Sequence, residues 1–404
     1  MIEQNGHIRV LMYSHDTFGL GHLRRTRAIA HALVEQHKKL SVLIISGSSI
    51  AGAYDFKARV DFIKIPSVIK LRNGDYTSLS DHIDLSETLS MRRAIIESAA
   101  INFRPNIFIA DKEPRGLRGE LDPTLPRLRA MNCEVVLGLR EVLDEPAVVR
   151  DEWARTDALR WLDDFYDRVW VYGSRDFYDP LAAIPMPVEL RERIDYVGFL
   201  ARTVPEHSVP REQDLPTDFI LVTAGGGGDA AHLMAQTLAA KASDPTNRRP
   251  FVLVLGPYMS LAEKTNIRQI AANLDDVYIL DFDNRLEELM ARATAVIAMG
   301  GYNTFCELMS FDKRALIVPR TTPRKEQLIR ARRAEEFGLL AMLDPIDADD
   351  PHRMAAAIRD LARRPKPSEV AYQIDLSGLD RIGAIVDEIR HRKVAARLTG
   401  AHGR

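Results

Sequence analysis

The sequence predicts an α/β protein of two facing doubly wound parallel-sheet, Rossmann-like domains, and three observations predict it. Short apolar runs alternate with stretches of helical periodicity through both halves of the chain. A polar, proline-rich stretch over 199–217, FLARTVPEHSVPREQDLPT, separates those halves. Glycine-bearing junctions stand where an apolar run passes into a helical pattern: GLGH at 19–22, GGGGD at 225–229 and GGYN at 300–303. The expected boundaries are a first domain over 1–200, a linker over 201–216, a second domain over 217–380, and a C-terminal helix with a basic tail over 381–404.

Composition agrees with this and removes several function classes. A chain of 404 residues exceeds the size at which one core keeps growing, and 46% hydrophobic content is ample for two. A formal net charge of -2 supplies no concentrated basic face, so no nucleic-acid partner is expected. The two cysteines, Cys133 and Cys306, are too few for a disulfide scaffold or a cysteine-based zinc site, and a reducing cytoplasm fits them. The opening MIEQNGHIRVLMYS runs straight into a strand without the pattern of a leader, and no uninterrupted apolar run approaches the roughly 18 residues that a spanning helix needs.

In chain order, 8–14 is an apolar run that ends in a glycine-bearing loop and a helix carrying Leu23, Ala28, Ile29 and Leu33. Gly19 and Gly21 let the backbone turn closely and His22 falls at the helix start. The loop is either a ligand loop or a turn with a capping histidine, and it lacks the third glycine of the dinucleotide fingerprint. Strands follow at 40–46 and 60–66. Residues 66–90 break the rhythm as a long loop, apolar and basic at Ile69, Lys70, Leu71 and Arg72, which reads as ordinary surface or as a membrane- or acceptor-facing loop. A helix over 89–103, a strand over 106–111, a helix over 123–131 and a strand over 134–139 resume the alternation. Asp111 and Arg140 each close a strand at the edge that lines the ligand crevice of an open parallel sheet, with a loop-capping carboxylate and a structural ion pair as the alternatives. Trp153, Trp161 and Trp170 read as packing residues, and strands at 168–172 and 194–197 complete the first half.

The second half opens with a strand over 219–224 that runs into Gly225, Gly226, Gly227, Gly228 and Asp229. Four glycines in a strand-to-helix turn are costly in entropy, which points to close approach of a ligand or of another backbone; phosphate cradling is the favoured reading and a purely structural flexible turn the alternative, and no lysine followed by Ser or Thr makes it a triphosphatase loop. Strands are expected at 251–255, 277–280, 295–298, 315–318 and 340–343. Asp281 and Asp283 resemble a metal pair, but they are better read as a strand end and a helix cap, with Phe282 turned to the cleft. After 295–298, Gly300 and Gly301 make a tight turn and a helix begins near Asn303 and Thr304, where unpaired N–H groups and a positive dipole end suit a phosphate. Glu307, one turn on and with no cation at helical spacing, is placed to accept hydrogen bonds from sugar hydroxyls. A last amphipathic helix holds Ile382, Ile385, Val386 and Ile389, followed by a frayed basic tail.

GLGH at 19–22, VGFLAR at 197–202, TAGGGGD at 223–229 and above all GGYNTFCELMSFDKRALIVPR with KEQLIRA resemble glycosyltransferase family 28, of the GT-B fold, which includes the peptidoglycan enzyme that transfers N-acetylglucosamine to lipid I. The resemblance implies two facing Rossmann-like domains and a sugar transfer from a nucleotide sugar, a UDP-sugar by expectation, to an acceptor hydroxyl in cell-surface polysaccharide or glycolipid synthesis. It implies an inverting reaction without a metal or other cofactor, on a saccharide or lipid-linked acceptor, in the cytoplasm with peripheral contact to the inner membrane face. Residue by residue, it assigns Glu307 to the ribose, Glu326 and Gln327 to the donor sugar, Thr304, Gly225 to Gly228 and Arg202 to the donor phosphates, and Phe282 to the base, while Gly301 and Asn303 are donor-side candidates from their place at the helix start. It also assigns His22, in a first loop that holds Gly19 and Gly21, as the acceptor-side base; Asp111, the next choice of base, and Arg140, on the acceptor side, are candidates by their place at strand ends and not by the resemblance. Two departures, Glu-Gln for the usual paired glutamines and GLGHLRR for a T-G-G-H loop, imply a different sugar or acceptor. The first loop also resembles a hydrolase of nucleotide aminosugars, and a non-catalytic binding protein is the third reading.

Overall fold

The computed structural model describes residues 7–15, 20–70, 76–79, 82–204, 214–226 and 228–401. It divides into two compact units, one of Met1–Leu200 with Ser377–Arg404 and the other of Ala201–Leu376.

The first unit contains β1 (Ile8–Ser14), β2 (Leu40–Ser46), β3 (Val60–Lys64), β4 (Val68–Lys70), β5 (Tyr76–Ser78), β6 (Ile107–Asp111), β7 (Glu134–Arg140), β8 (Arg168–Tyr172) and β9 (Ile194–Tyr196). Seven of these form one sheet in the order β3-β2-β1-β6-β7-β8-β9, with every pairing parallel. The strands at its centre are buried on both faces, which is why they read as continuous apolar runs instead of alternating ones: Val10, Leu11, Tyr13, Phe108, Val135 and Leu137 are all fully inaccessible. The order reverses between β1 and β6, which brings the carboxyl ends of these two strands, at Ser14 and Asp111, side by side at the switch point of the sheet.

The expected long loop over 66–90 carries regular structure in its described residues. β4 and β5 form an antiparallel hairpin, and the next helix is Leu85–Phe103, starting earlier than the periodicity suggests. The reason is local: the Asp84 side chain accepts a hydrogen bond from the Glu87 N–H at 2.7 Å, closing the first turn ahead of the apolar stripe. Leu71 and Arg72 lie outside the described residues. The C-terminal segment is one helix, Gly378–Ala401, so the tail expected to fray is helical as far as the last described residue. Its inner face carries Ile382, Val386 and Ile389, each at most 1% exposed, and it belongs to the first unit. Gly378 permits its approach, since a Cβ there would lie 2.5 Å from the Gly198 carbonyl oxygen.

The second unit contains β10 (Ile220–Thr223), β11 (Phe251–Val254), β12 (Val277–Leu280), β13 (Ala295–Ala298), β14 (Arg314–Ile317) and β15 (Ala341–Met342), a parallel sheet in the order β12-β11-β10-β13-β14-β15. Its switch point falls between β10 and β13, which sets the Gly225 loop beside the Gly300 loop. The core on its faces is built from Leu233, Met234, Leu238, Leu253, Ile297, Leu316, Met354 and Ile358. Among the described residues no helix is long and apolar enough to cross a membrane.

Candidate functional site

At the switch point of the first sheet, the helix Gly21–Gln36 starts with its N-cap at Leu20 and no side-chain cap. His22 is therefore inside the first turn and does not cap it. Its Nδ1 lies 2.5 Å from Asp111 Oδ2 at the end of β6. Two lone pairs cannot approach so closely, so Nδ1 carries the proton and donates to the carboxylate, leaving Nε2 as the basic atom. Nε2 makes no hydrogen bond among the described residues. Arg25, one turn along the same face, sends Nε and Nη2 to Asp111 Oδ1 at 3.2 and 2.5 Å. Its Nη2 is also 3.1 Å from His22 Nδ1, but with that nitrogen protonated the contact is a proximity and not a bond.

The electrostatics follow from burial. Asp111 and Arg25 have side chains only 6% and 2% exposed, and His22 is 15% exposed. Burial works to raise the Asp111 carboxyl, yet Arg25 and His22 together hold it well below the usual carboxylate range. Burial pushes His22 below the ordinary imidazole value against the opposite pull of Asp111. The result is a neutral histidine oriented by an ionised carboxylate. Asp111 thus stands as the partner of His22 and not as a second, independent base. Arg140, at the end of β7, is half-buried, and Gly21 is the first residue of the helix; Gly19 lies outside the described residues.

In the second unit, Gly225 has φ +66 and follows β10, so the turn needs glycine there; Gly226 and Gly228 belong to the same turn, and Gly227 lies outside the described residues. The Gly226 carbonyl accepts the Tyr258 N–H at 3.0 Å, which ties this loop to the one after β11. Gly300 has φ +78, and a Cβ on it would lie 2.8 Å from Ile317 Cγ2. Gly301 is the N-cap of the helix Tyr302–Ser310, and a Cβ there would meet nothing within 4 Å, so open space adjoins the helix start.

Asn303 and Thr304 are each 6% exposed and Glu307 is fully inaccessible, so the carboxylate expected at a sugar edge is buried in this state. Arg202 does not project free: its backbone N–H donates to Ser310 Oγ and its Nη2 to Asn303 Oδ1, both at 2.9 Å. Glu326 and Gln327 open the helix Glu326–Glu336. Both are engaged by one residue that the sequence reading passed over, Arg320: Nη2 donates to Glu326 Oε1 at 2.9 Å, its N–H to Gln327 Oε1 at 3.0 Å, and Nη1 to Asp229 Oδ2 at 2.8 Å. Burial would lower the Arg320 guanidinium, but Glu326 and Asp229 overcome it and raise it. Its sign was available in sequence, as the first cation after the strand that precedes Glu326.

The D-F-D triplet requires a correction. Asp283 accepts the Arg285 N–H at 2.7 Å, a turn just ahead of the helix Leu286–Arg292, whose N-cap is Arg285. Asp281 pairs with Arg268 at 2.7 Å, and Phe282 between them is half-buried. Among the described residues no group of three or more His, Cys, Asp or Glu side chains is placed to hold a metal ion.

Comparison with known proteins adds two findings. Residues 219–377 match the model of the glycosyltransferase family 28 C-terminal domain. Solved structures match over nearly the whole chain. A UDP-glucosyltransferase from Polygonum tinctorium capable of glucosylating indoxyl is 13% identical, covers 96% of this chain and 94% of its own, and has a TM-score of 0.58. The glycosyltransferase VinC in complex with dTDP is 16% identical over 95% and 94% of the two chains, with a TM-score of 0.56. A candidate UDP-N-acetylglucosamine 2-epimerase from Listeria monocytogenes is 14% identical over 94% and 96%, with a TM-score of 0.61. At such identities the likeness establishes the shared architecture. No curated protein matches the sequence.

Proposed function

We propose that this chain, which has the GT-B fold and whose residues 219–377 form a glycosyltransferase family 28 C-terminal domain, transfers a sugar from a nucleotide sugar to an acceptor hydroxyl. The observation that carries the reading is the His22–Asp111 pair at the switch point of the first sheet, a neutral imidazole whose Nδ1 is committed and whose Nε2 is basic. In the reaction, the acceptor hydroxyl gives its proton to His22 Nε2 as its oxygen bonds to the anomeric carbon. The bond from that carbon to the diphosphate oxygen breaks, and the configuration inverts. Asp111 stabilises the imidazolium that forms, and Arg25 keeps Asp111 ionised and aimed.

On the donor side the leaving diphosphate takes backbone N–H groups from the Gly225 loop and from the start of the helix Tyr302–Ser310, where the dipole is positive. No metal is assigned to this step. Thr304 adds a hydroxyl, Phe282 packs on the base, and Arg202 serves by holding Asn303 and Ser310 in place. Glu307 receives the ribose, and Glu326 and Gln327 the donor sugar, aligned by Arg320. The acceptor is a saccharide or lipid-linked alcohol, met in the cytoplasm or at the inner membrane face.

A panel of nucleotide sugars screened by thermal shift, followed by turnover with and without acceptor and with EDTA, tests the reading. A ligand at 100 times its dissociation constant adds about 2.7 kcal/mol of stability. Acceptor-dependent turnover that survives EDTA is expected. Release of nucleotide without acceptor would assign hydrolysis, and epimerised donor would assign that chemistry instead. For the ribose, Glu307→Gln is expected to weaken binding of the recognised nucleotide by about 1.5 to 3 kcal/mol, the range for hydrogen bonds to a charged group. Calorimetric titration with the free nucleoside diphosphate measures it; equal affinity removes Glu307 from the donor site.

A further inference from the structure

Asp111 fixes one atom of the His22 ring, and one hydrogen bond lets the ring pivot about that contact. His15, the residue after β1, supplies a second constraint. It is 3% exposed, and its ring meets that of His22 edge to face, with centroids 5.7 Å apart and planes at 68°. His15 is itself held from behind. Its Nδ1 lies 3.3 Å from Tyr13 Oη, which also contacts Glu120 Oε1 in a short hydrogen bond and receives the Leu117 N–H at 3.1 Å.

The phenol has a single proton, and this decides the direction of every bond. Leu117 can only donate and the Glu120 carboxylate can only accept, so Tyr13 gives its proton to Glu120 and accepts from both Leu117 and His15. His15 is therefore the neutral Nδ1–H tautomer. Glu120 takes a fork from Arg92, Nε to Oε2 at 2.5 Å and Nη2 to Oε1 at 2.7 Å, while Arg92 Nη1 donates to the Pro66 carbonyl at 2.7 Å. Arg92 and Glu120 are both fully inaccessible. The turn that delivers the Leu117 N–H admits only glycine at 116, where φ is +65 and a Cβ would lie 2.8 Å from Leu121 Cγ and 3.2 Å from Tyr13 Oη.

We propose that the buried chain Arg92–Glu120–Tyr13–His15 is a second brace for His22, which sets the plane of its imidazole and keeps water from one side of the ring, so that His15 is a positioning residue for the acceptor-side base. The proposal rests on reading His22 as that base. The charged and titratable groups around the pair are Asp111 and Arg25 beside His22, Lys112 after β6, and Tyr13, Glu120 and Arg92 behind His15. Burial, with Lys112 and His22 adding to it, keeps His15 well below the ordinary imidazole value, consistent with its role as a neutral donor.

Imidazole nitrogen NMR on the full chain tests this without any substrate, so the brace and the transfer reaction succeed or fail separately. The wild type should show His15 as a single Nδ1–H tautomer. His15→Ala admits water beside His22 and should move its half-protonation point up by about one pH unit. Tyr13→Phe keeps the volume but removes the acceptor, so His15 should become a mixture of tautomers and His22 should shift less, in the same direction. In a working transfer assay the acid limb of the rate would move up with it. His15 found as the Nε2–H tautomer in the wild type overturns the chain of donors. Unchanged His22 titration in folded variants reduces the chain to core packing. If His15→Ala does not fold, the wild-type tautomer and the Tyr13→Phe titration still decide.

Discussion

His22→Ala is expected to fold and to bind donor like the wild type, yet to transfer sugar roughly 10² to 10⁴ times more slowly, the range for loss of a positioned general base. A capping role would predict the reverse, about 0.5 to 2 kcal/mol of stability lost with turnover unchanged. The N-cap is Leu20, without a side-chain bond, so the structure gives His22 no capping to lose. Melting temperature, nucleotide affinity and single-turnover rate on one preparation separate the two. Near wild-type turnover in a folded, donor-binding variant would sink the assignment. The pH dependence has a fixed sign. The folded-state value of His22 is depressed, so the base stays neutral through its ordinary value of about 6.5 and the rate should fall only below that. Stability should also decline on the acid side: a buried neutral histidine resists protonation below about 6.5, and the depressed Asp111 loses its contribution as pH falls from about 3.9 through its folded value.

Arg92→Met should cost about 3 to 5 kcal/mol in the first unit, because it leaves the Glu120 carboxylate buried without its cation. Burial makes this pair different from the many exposed ones, such as Arg160 with Asp164, where solvent screens the charges. The double variant Arg92→Met with Glu120→Gln should recover much of the loss, since the orphaned charge is then gone. Urea unfolding followed by the tryptophans of the first unit, Trp153, Trp161 and Trp170, reads this transition apart from the second unit, which has no tryptophan. A single-variant loss below about 1 kcal/mol would place the pair with ordinary surface ion pairs.

Much of the fold was legible because strands buried on both faces advertise themselves. Runs such as 8–14, 40–46 and 295–298 appear in the structure as Ile8–Ser14, Leu40–Ser46 and Ala295–Ala298. Elements without such runs were missed or misplaced. β4 and β5 have three residues each, too few to show an alternating pattern although Val68 and Tyr76 join a small cluster with Leu89 and Leu117, and the helix Leu85–Phe103 starts on a polar cap instead of an apolar position. His22 and Arg25 were one turn apart in plain view, and a charged residue on the apolar face of a helix was the available signal that something buried opposes it.

Everything that depends on near neighbours could be read from the chain alone: the alternation of strands and helices, the division into two main parallel sheets, and the glycine turn that starts Tyr302–Ser310. Which polar groups meet depends instead on how distant segments pack. His22 and Asp111 are 89 residues apart, Arg92 and Glu120 28, and Arg320 and Asp229 91. Periodicity carries no information across such separations. The sheet order does, because placing β6 beside β1 and β13 beside β10 brings distant strand ends to one edge, and burial there leaves each charge stable only with its partner.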